Sequence, residues 1–185
     1  MKRIESSLTN MVLVLLVICG LSAAALGATY RLTQPRLIAL EQARRLAAIR
    51  SVLPAFDNDP LTAAIVTELA TLFPAESDGA PVGAAVQVAV GGYGGDVVLM
   101  VGFDADARVN AVSVLSHSET PGLGARITET PFLQQFAGTH PVQNAVAVAN
   151  DGGAIDAITA ATISSRAVAT AVNTAADVYQ AQRGR

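Results

Sequence analysis

The chain is short of most residues that build self-sufficient active sites. It has one cysteine, Cys19, and two histidines, His117 and His140, in 185 residues. A single thiol excludes a disulfide framework, and no thiolate metal site can be assembled within one chain, so no metal centre is expected. Aromatic residues make up only 4% of the chain, against 51% hydrophobic residues overall. Ala and Val carry most of the apolar count, so the core must be assembled from many small contacts. The formal net charge is -3. That balance offers no basic footprint, and nucleic acid is not expected as a partner.

What the chain does have, first, is a long apolar run. Lys2 and Arg3 precede a stretch from Ser6 to Tyr30 without a charged residue, most apolar over Met11–Cys19. A membrane span needs about 20 mainly apolar residues, and this stretch supplies them. Ala23-Ala24-Ala25 and Ala25-Leu26-Gly27-Ala28 resemble the small-residue cleavage site of a signal peptide. The apolar core is longer than a usual signal core, however, and the helical pattern runs on past it, so a retained anchor is expected. Lys2 and Arg3 favour a cytoplasmic N-terminus, and Arg31 and Arg36 on the far side weaken that bias. The expected organisation is a cytoplasmic N-terminus over residues 1–8, a transmembrane helix over 9–30, a linker helix over 31–54 and a folded domain over 55–185.

The linker reads as helix from Pro35 to Ile49, with Leu37, Leu40, Ala47 and Ala48 near one face and Pro35 in a first-turn position. Residues 61–73 suit a helix or a buried strand, with length favouring helix, and residues 74–81 read as a loop. Val86, Val88 and Val90 alternate as a strand. Residues 97–103 form a second strand, apolar enough to be buried on both faces. Asp104–Ala107 makes a turn, and residues 109–115 form a third strand, antiparallel to the second. A short helix is expected over 130–136 and a fourth strand over 144–149. In the last helix Val168, Val172, Ala175, Ala176 and Tyr179 share a face. The fold class is therefore α+β: one transmembrane helix, then a small, mainly antiparallel sheet packed by helices. A domain of about 150 residues is large enough to bury its own core.

Three segments can carry chemistry. Gly91-Gly-Tyr-Gly-Gly95 reads first as a flexible turn, and otherwise as backbone that must come close to a ligand. In Ser116–Arg126 a Pro121-Gly122 turn presents Glu119 and Thr120, but no nucleophile has a paired base, so no catalytic residue is assigned. His117 has no second ligand at metal spacing and reads as a rim residue. The third segment, Asp156–Ser165, packs Thr159, Thr162, Ser164 and Ser165 among small side chains. Its plain reading is a helix start capped by Ser164 or Ser165. Its functional reading is a phosphate seat at a helix N-terminus, with Ala160 and Ala161 leaving room.

In their order along the chain these segments resemble the FMN-binding G subunit of the Rnf (Rsx) electron transport complex. They also resemble the related C subunit of sodium-translocating NADH:quinone reductase. Glu119-Thr-Pro-Gly-Leu-Gly124 matches the family without a change, and Thr159-Ala160-Ala161-Thr162 stands where the family writes Ser/Thr-Gly-Ala-Thr. The resemblance implies that FMN is carried on Thr162 through a phosphoester bond made by a separate flavin transferase. It places Glu119, Thr120, Leu123 and Gly124 beside the flavin, with Thr120, Leu123 and Gly124 nearest the ring or ribityl chain. Thr159, Ser164 and Ser165 then bond the phosphate or cap the helix, beside Ala160 and Ala161. Asp156 orients local backbone, since two anions repel.

The implied function is electron relay within a membrane-bound, ion-translocating ferredoxin:NAD oxidoreductase. The implied partners are the other membrane subunits of that complex, of A, B, C, D and E type. The implied location is the bacterial inner membrane, with a single pass and the FMN-binding domain, residues 55–185, on the periplasmic side. The quinone reductase subunit is the alternative within the family, although its chain is usually longer. A flavin-free assembly or binding subunit is the alternative of another class, and Ala160 is the residue that keeps it open. If position 160 needs positive φ, an alanine there costs about 1 kcal/mol or more. If glycine serves only for clearance, one methyl is accommodated.

Overall fold

The computed structural model describes residues 8–183. The expected cytoplasmic N-terminus, residues 1–8, lies almost wholly outside them. The chain divides into two compact units, Met1–Arg44 and Arg45–Arg185.

Helix α1 spans Leu8–Val52, and Pro35 lies inside it rather than in a first turn. Proline fits there at the cost of one backbone hydrogen bond, because it lacks the N–H of an ordinary residue. The apolar part of α1 has a mean hydropathy of 2.6 and none of it is buried within the protein. A helix of that length and composition can cross a membrane. Exposed Leu, Ile and Val side chains along it are costly in water and at home in lipid.

The second unit is built on a five-stranded antiparallel meander in the order β1-β2-β3-β4-β5. The strands are β1 (Ile65–Val66), β2 (Ala70–Ser77), β3 (Ala80–Gly91), β4 (Asp96–Asp104) and β5 (Val109–Ser116). The three strands expected around Val86–Val90 and over residues 97–103 and 109–115 are present. Residues 61–73, expected as helix, instead supply β1 and the start of β2, and the expected loop over 74–81 is the β2–β3 hairpin. Pro74 pairs with Ala84 across that hairpin, while β1 reaches only Leu72 and Thr71 on the other side. Past β1 this edge is met by a side chain and not a strand, the Asn58 carboxamide donating to the Pro74 carbonyl and accepting from the Glu76 amide, both at 3.0 Å, and a strand tolerates proline on such an edge.

Both faces of the sheet are covered. Leu72, Val86, Val88, Leu99, Val101, Phe103 and Val112 pack with Val168, Val172, Ala175 and Ala176 of α3 (Thr162–Arg183). Phe132 of α2 (Thr130–Leu133) and Phe136 close the same core, ring edge to ring face at 5.5 Å. On the opposite face Phe73, Ala85 and Met100 meet Ala48, Ile49 and Val52 from the last turns of α1. Gly102 is needed there, because a methyl group would collide with the Val52 carbonyl. The Asn110 side chain donates to that same carbonyl at 2.7 Å, satisfying a group the helix end leaves open.

The expected fourth strand over 144–149 is absent. Val146 exchanges both backbone groups with the side chain of Asn173 on α3, at 2.8 and 2.9 Å. One carboxamide thus does what a neighbouring strand would have done. Val148 and Ile155 form only an isolated bridge.

Candidate functional site

The β3–β4 turn, the loop after β5 and the start of α3 converge at one end of the sheet. The turn is Gly92–Gly95, closed by the Gly92 amide donating to the Gly95 carbonyl at 2.8 Å. After β5 the chain turns at Thr120, whose carbonyl accepts from the amides of Leu123 and Ala125. A 3₁₀ turn, Gly124–Thr128, follows. Before α3, the Ile158 carbonyl accepts from the Ala161 amide at 2.9 Å. Ala160 is the third residue of that turn and has φ +61°. This is the position where a type II turn calls for positive φ and favours glycine.

Between these segments lies a cleft of about 390 Å³, within the range of small-molecule sites. Of the residues marked in the sequence, Glu119, Thr120, Leu123, Gly124, Ala160, Ala161, Thr162 and Ser164 line it. Thr159 and Ser165 do not. Thr159 is exposed on the turn. Ser165 is fully buried; its hydroxyl donates to the Ala161 carbonyl and accepts from the Ile158 amide, both at 3.0 Å. It ties the turn to the helix from inside. The expectation that Ser164 or Ser165 caps α3 fails for that reason: the helix already begins at Thr162, and both serines lie within its first turns. Asp156 is exposed, and its backbone is clasped by the Gln135 carboxamide at 2.7 and 3.3 Å.

Two lining residues were not marked as site residues, Tyr93 and Ile163. With Leu123 they form an exposed apolar rim, each between 44% and 69% accessible. The signal for Tyr93 was an aromatic set among four glycines, which reads as a turn until its place beside the cleft is known.

Glu119 stands at the wall of the cleft with 5% of its surface accessible. One carboxylate oxygen accepts from the amides of Tyr93 at 2.7 Å and Gly94 at 3.3 Å. The other accepts from the Ser164 hydroxyl at 2.6 Å. Burial alone would raise its pKa. The bonds from Ser164, Gly94 and Tyr93, helped by His117 nearby, outweigh burial and hold it below the ordinary carboxylate value. Among the described residues no group of acidic, histidine or cysteine side chains is arranged to hold a metal ion. The Arg166 guanidinium, one turn into α3, is engaged by both oxygens of Asp151 at 2.6 and 2.7 Å.

Residues 92–177, which run from the β3–β4 turn into α3, match the family model of the FMN-binding domain. The G subunit of the ion-translocating oxidoreductase complex of Stutzerimonas stutzeri is 38% identical over 164 residues, covering 82% of this chain and 72% of that one. The chain belongs to this G-subunit family. Its counterpart in the same kind of complex from Methanosarcina acetivorans is 35% identical over 187 residues, covering 97% of this chain and 98% of its own. Among solved structures, the C subunit of the Na(+)-translocating NADH-quinone reductase from Parabacteroides distasonis superposes with a TM-score of 0.52. It is 20% identical, over 71% of this chain and 78% of that one, and the likeness is one of fold.

Proposed function

We propose that the chain is the FMN-carrying subunit of a membrane-bound, ion-translocating ferredoxin:NAD oxidoreductase, with FMN held by a phosphoester to Thr162. The observation that carries this reading is the position of Thr162. It opens a 22-residue helix on the cleft where the three motif segments meet. Its hydroxyl makes no hydrogen bond among the described residues. The names of the curated relatives and the FMN-binding domain match support the same reading.

The residues present fit the group. The first-turn amides of α3 and the positive end of its dipole favour a phosphate. Arg166 is engaged by Asp151 and does not line the cleft, so the phosphate's donors are assigned to those amides. The apolar rim of Tyr93, Leu123 and Ile163 suits a flat ring system, and Thr120 and Gly124 line the same cleft. When bound, the flavin supplies the electron-transfer chemistry, and the protein binds, orients and tunes it.

The chain does not make the bond itself. A threonine hydroxyl is a poor nucleophile without a base, and the one buried carboxylate at the cleft accepts from Ser164 instead. A flavin transferase must therefore bring the base and the donor, FAD. The Thr162 oxygen forms the new P–O bond, the bond within the pyrophosphate breaks, AMP leaves and the hydroxyl proton goes to the transferase.

A single helix provides no ion path, so translocation belongs to the other membrane subunits, of A, B, C, D and E type. The N-terminal positive charges support a cytoplasmic N-terminus and a domain on the periplasmic side of the inner membrane.

The test is co-expression of the full chain with a competent transferase, followed by flavin fluorescence after denaturing electrophoresis. Wild type and Thr159→Ala are expected to fluoresce and Thr162→Ala to be dark. A dark wild type would support a flavin-free assembly subunit. A fluorescent Thr162→Ala would move the attachment site elsewhere.

A further inference from the structure

Glu119 is a buried carboxylate in no ion pair: among the described residues the ion pairs are Arg126–Glu129 and Arg166–Asp151, and His117 is the titratable group near it. An ionised carboxylate is expensive to bury unless its oxygens are fully bonded. Here neutral donors from two distant segments satisfy it, the Tyr93 and Gly94 amides of the β3–β4 turn and the Ser164 hydroxyl of α3. Its own amide donates to His117 Nδ1 at 3.2 Å, fixing the approach of the loop. The space around the carboxylate is cut to fit. A methyl group at Gly92 would fall on its Oε1, and one at Gly124 would meet its Oε2 and the Ser164 hydroxyl. A methyl at Gly94 would collide with the carbonyl of Ser118 next to it. Glycines from two separate motifs are thus explained by one side chain.

A neutral acceptor would suffice to bridge turn and helix. A full charge at the wall of a cleft, in no ion pair, acts on whatever the cleft contains. Added electrons on a redox group there would sit beside a fixed anion, and like charges at close range repel.

We propose that Glu119 is a positioning residue with two effects. It holds the β3–β4 turn and the start of α3 in register as the two walls of the cleft. Its fixed negative charge also lowers the reduction potential of the flavin. The second effect rests on the reading that the cleft holds FMN on Thr162; the first does not.

The experiment uses the full chain in detergent, as wild type, Glu119→Gln and Glu119→Ala. Glutamine keeps the shape and an acceptor for the Tyr93 and Gly94 amides, but not the charge. The midpoint potential of loaded Glu119→Gln is expected to lie above that of wild type. A potential equal to or below wild type's would overturn the charge effect. Amide exchange is read on the flavin-free protein. At Tyr93 and Gly94, Glu119→Ala should exchange about tenfold faster or more, the loss expected when buried donors lose their acceptor, and Glu119→Gln should stay near wild type. Wild-type exchange in Glu119→Ala would overturn the clamp. Should wild type carry no flavin, the reading of the cleft and the charge effect fail together, while the exchange measurement still decides the clamp.

Discussion

At Ala160 one methyl group stands where the family motif has glycine, and the backbone there has φ +61°. Alanine in that region is strained by about 1 kcal/mol or more. Strain of this kind persists where the surrounding structure holds it, and here the Ile158–Ala161 turn is fixed by Ser165 beneath it. Ala160→Gly is therefore expected to stabilise the protein by roughly 0.5–1 kcal/mol, the strain relief less glycine's greater chain entropy. Urea unfolding measures it, and a loss of stability would show that the methyl is not strained. The motif made this question legible in advance, but only the backbone angle could answer it. Glu119 adds a pH dependence. Its folded pKa lies below the ordinary value of 4.5. The stability it contributes is therefore fully present above that value and is lost as pH falls through the lower, folded value. Acid unfolding curves should show this loss below about pH 4.5 in wild type and a shallower dependence in Glu119→Gln. Superimposable curves would mean that Glu119 is bonded no better in the folded protein than in water.

At the scale of elements, α3 serves both the core and the cleft. Its face of Val168, Val172, Ala175 and Ala176 is buried on the sheet, and that face fixes where Thr162 stands. Truncating Leu99, a fully buried β4 residue in the same core, should cost about 2–5 kcal/mol in chemical denaturation. Removing the Ser165 hydroxyl leaves the buried Ile158 amide without its acceptor, and Ser165→Ala should cost about 1–3 kcal/mol. A neutral Ser165→Ala would show that water replaces the hydroxyl. The sequence made β3, β4, β5 and α3 readable because valine alternation, an unbroken apolar run and a 3.6-residue period are local signals. The strand β2 was hidden by Pro74, which looks like a breaker until the edge it lies on is known. Residues 144–149 looked like a strand because their apolar pattern is that of one. Their partner is a side chain, Asn173, far along the chain, and no local pattern announces that. The converse holds at the cleft. Its three segments were each readable as ordinary turns or caps, and before the meander brought them to one end of the sheet only their resemblance to a family joined them.

For the whole molecule, α1 is the decisive element. Its apolar stretch is exposed throughout its membrane-long portion, so the chain should resist carbonate washing of membranes and be released by detergent. A reporter enzyme that folds only outside the cytoplasm, fused after the C-terminus, should be active if the domain lies on the periplasmic side. An inactive fusion, with a cytoplasmic reporter active in its place, would invert the orientation drawn from Lys2 and Arg3. The proposed function turns on a smaller object, one oxygen atom at the head of α3. The most direct test is peptide mass mapping of the full chain after co-expression with a flavin transferase. The peptide holding Thr162 is expected to carry the mass of FMN less water, with fragmentation placing it on Thr162 rather than Thr159, Ser164 or Ser165. An unmodified peptide under conditions where a known substrate of the same transferase is loaded would contradict it.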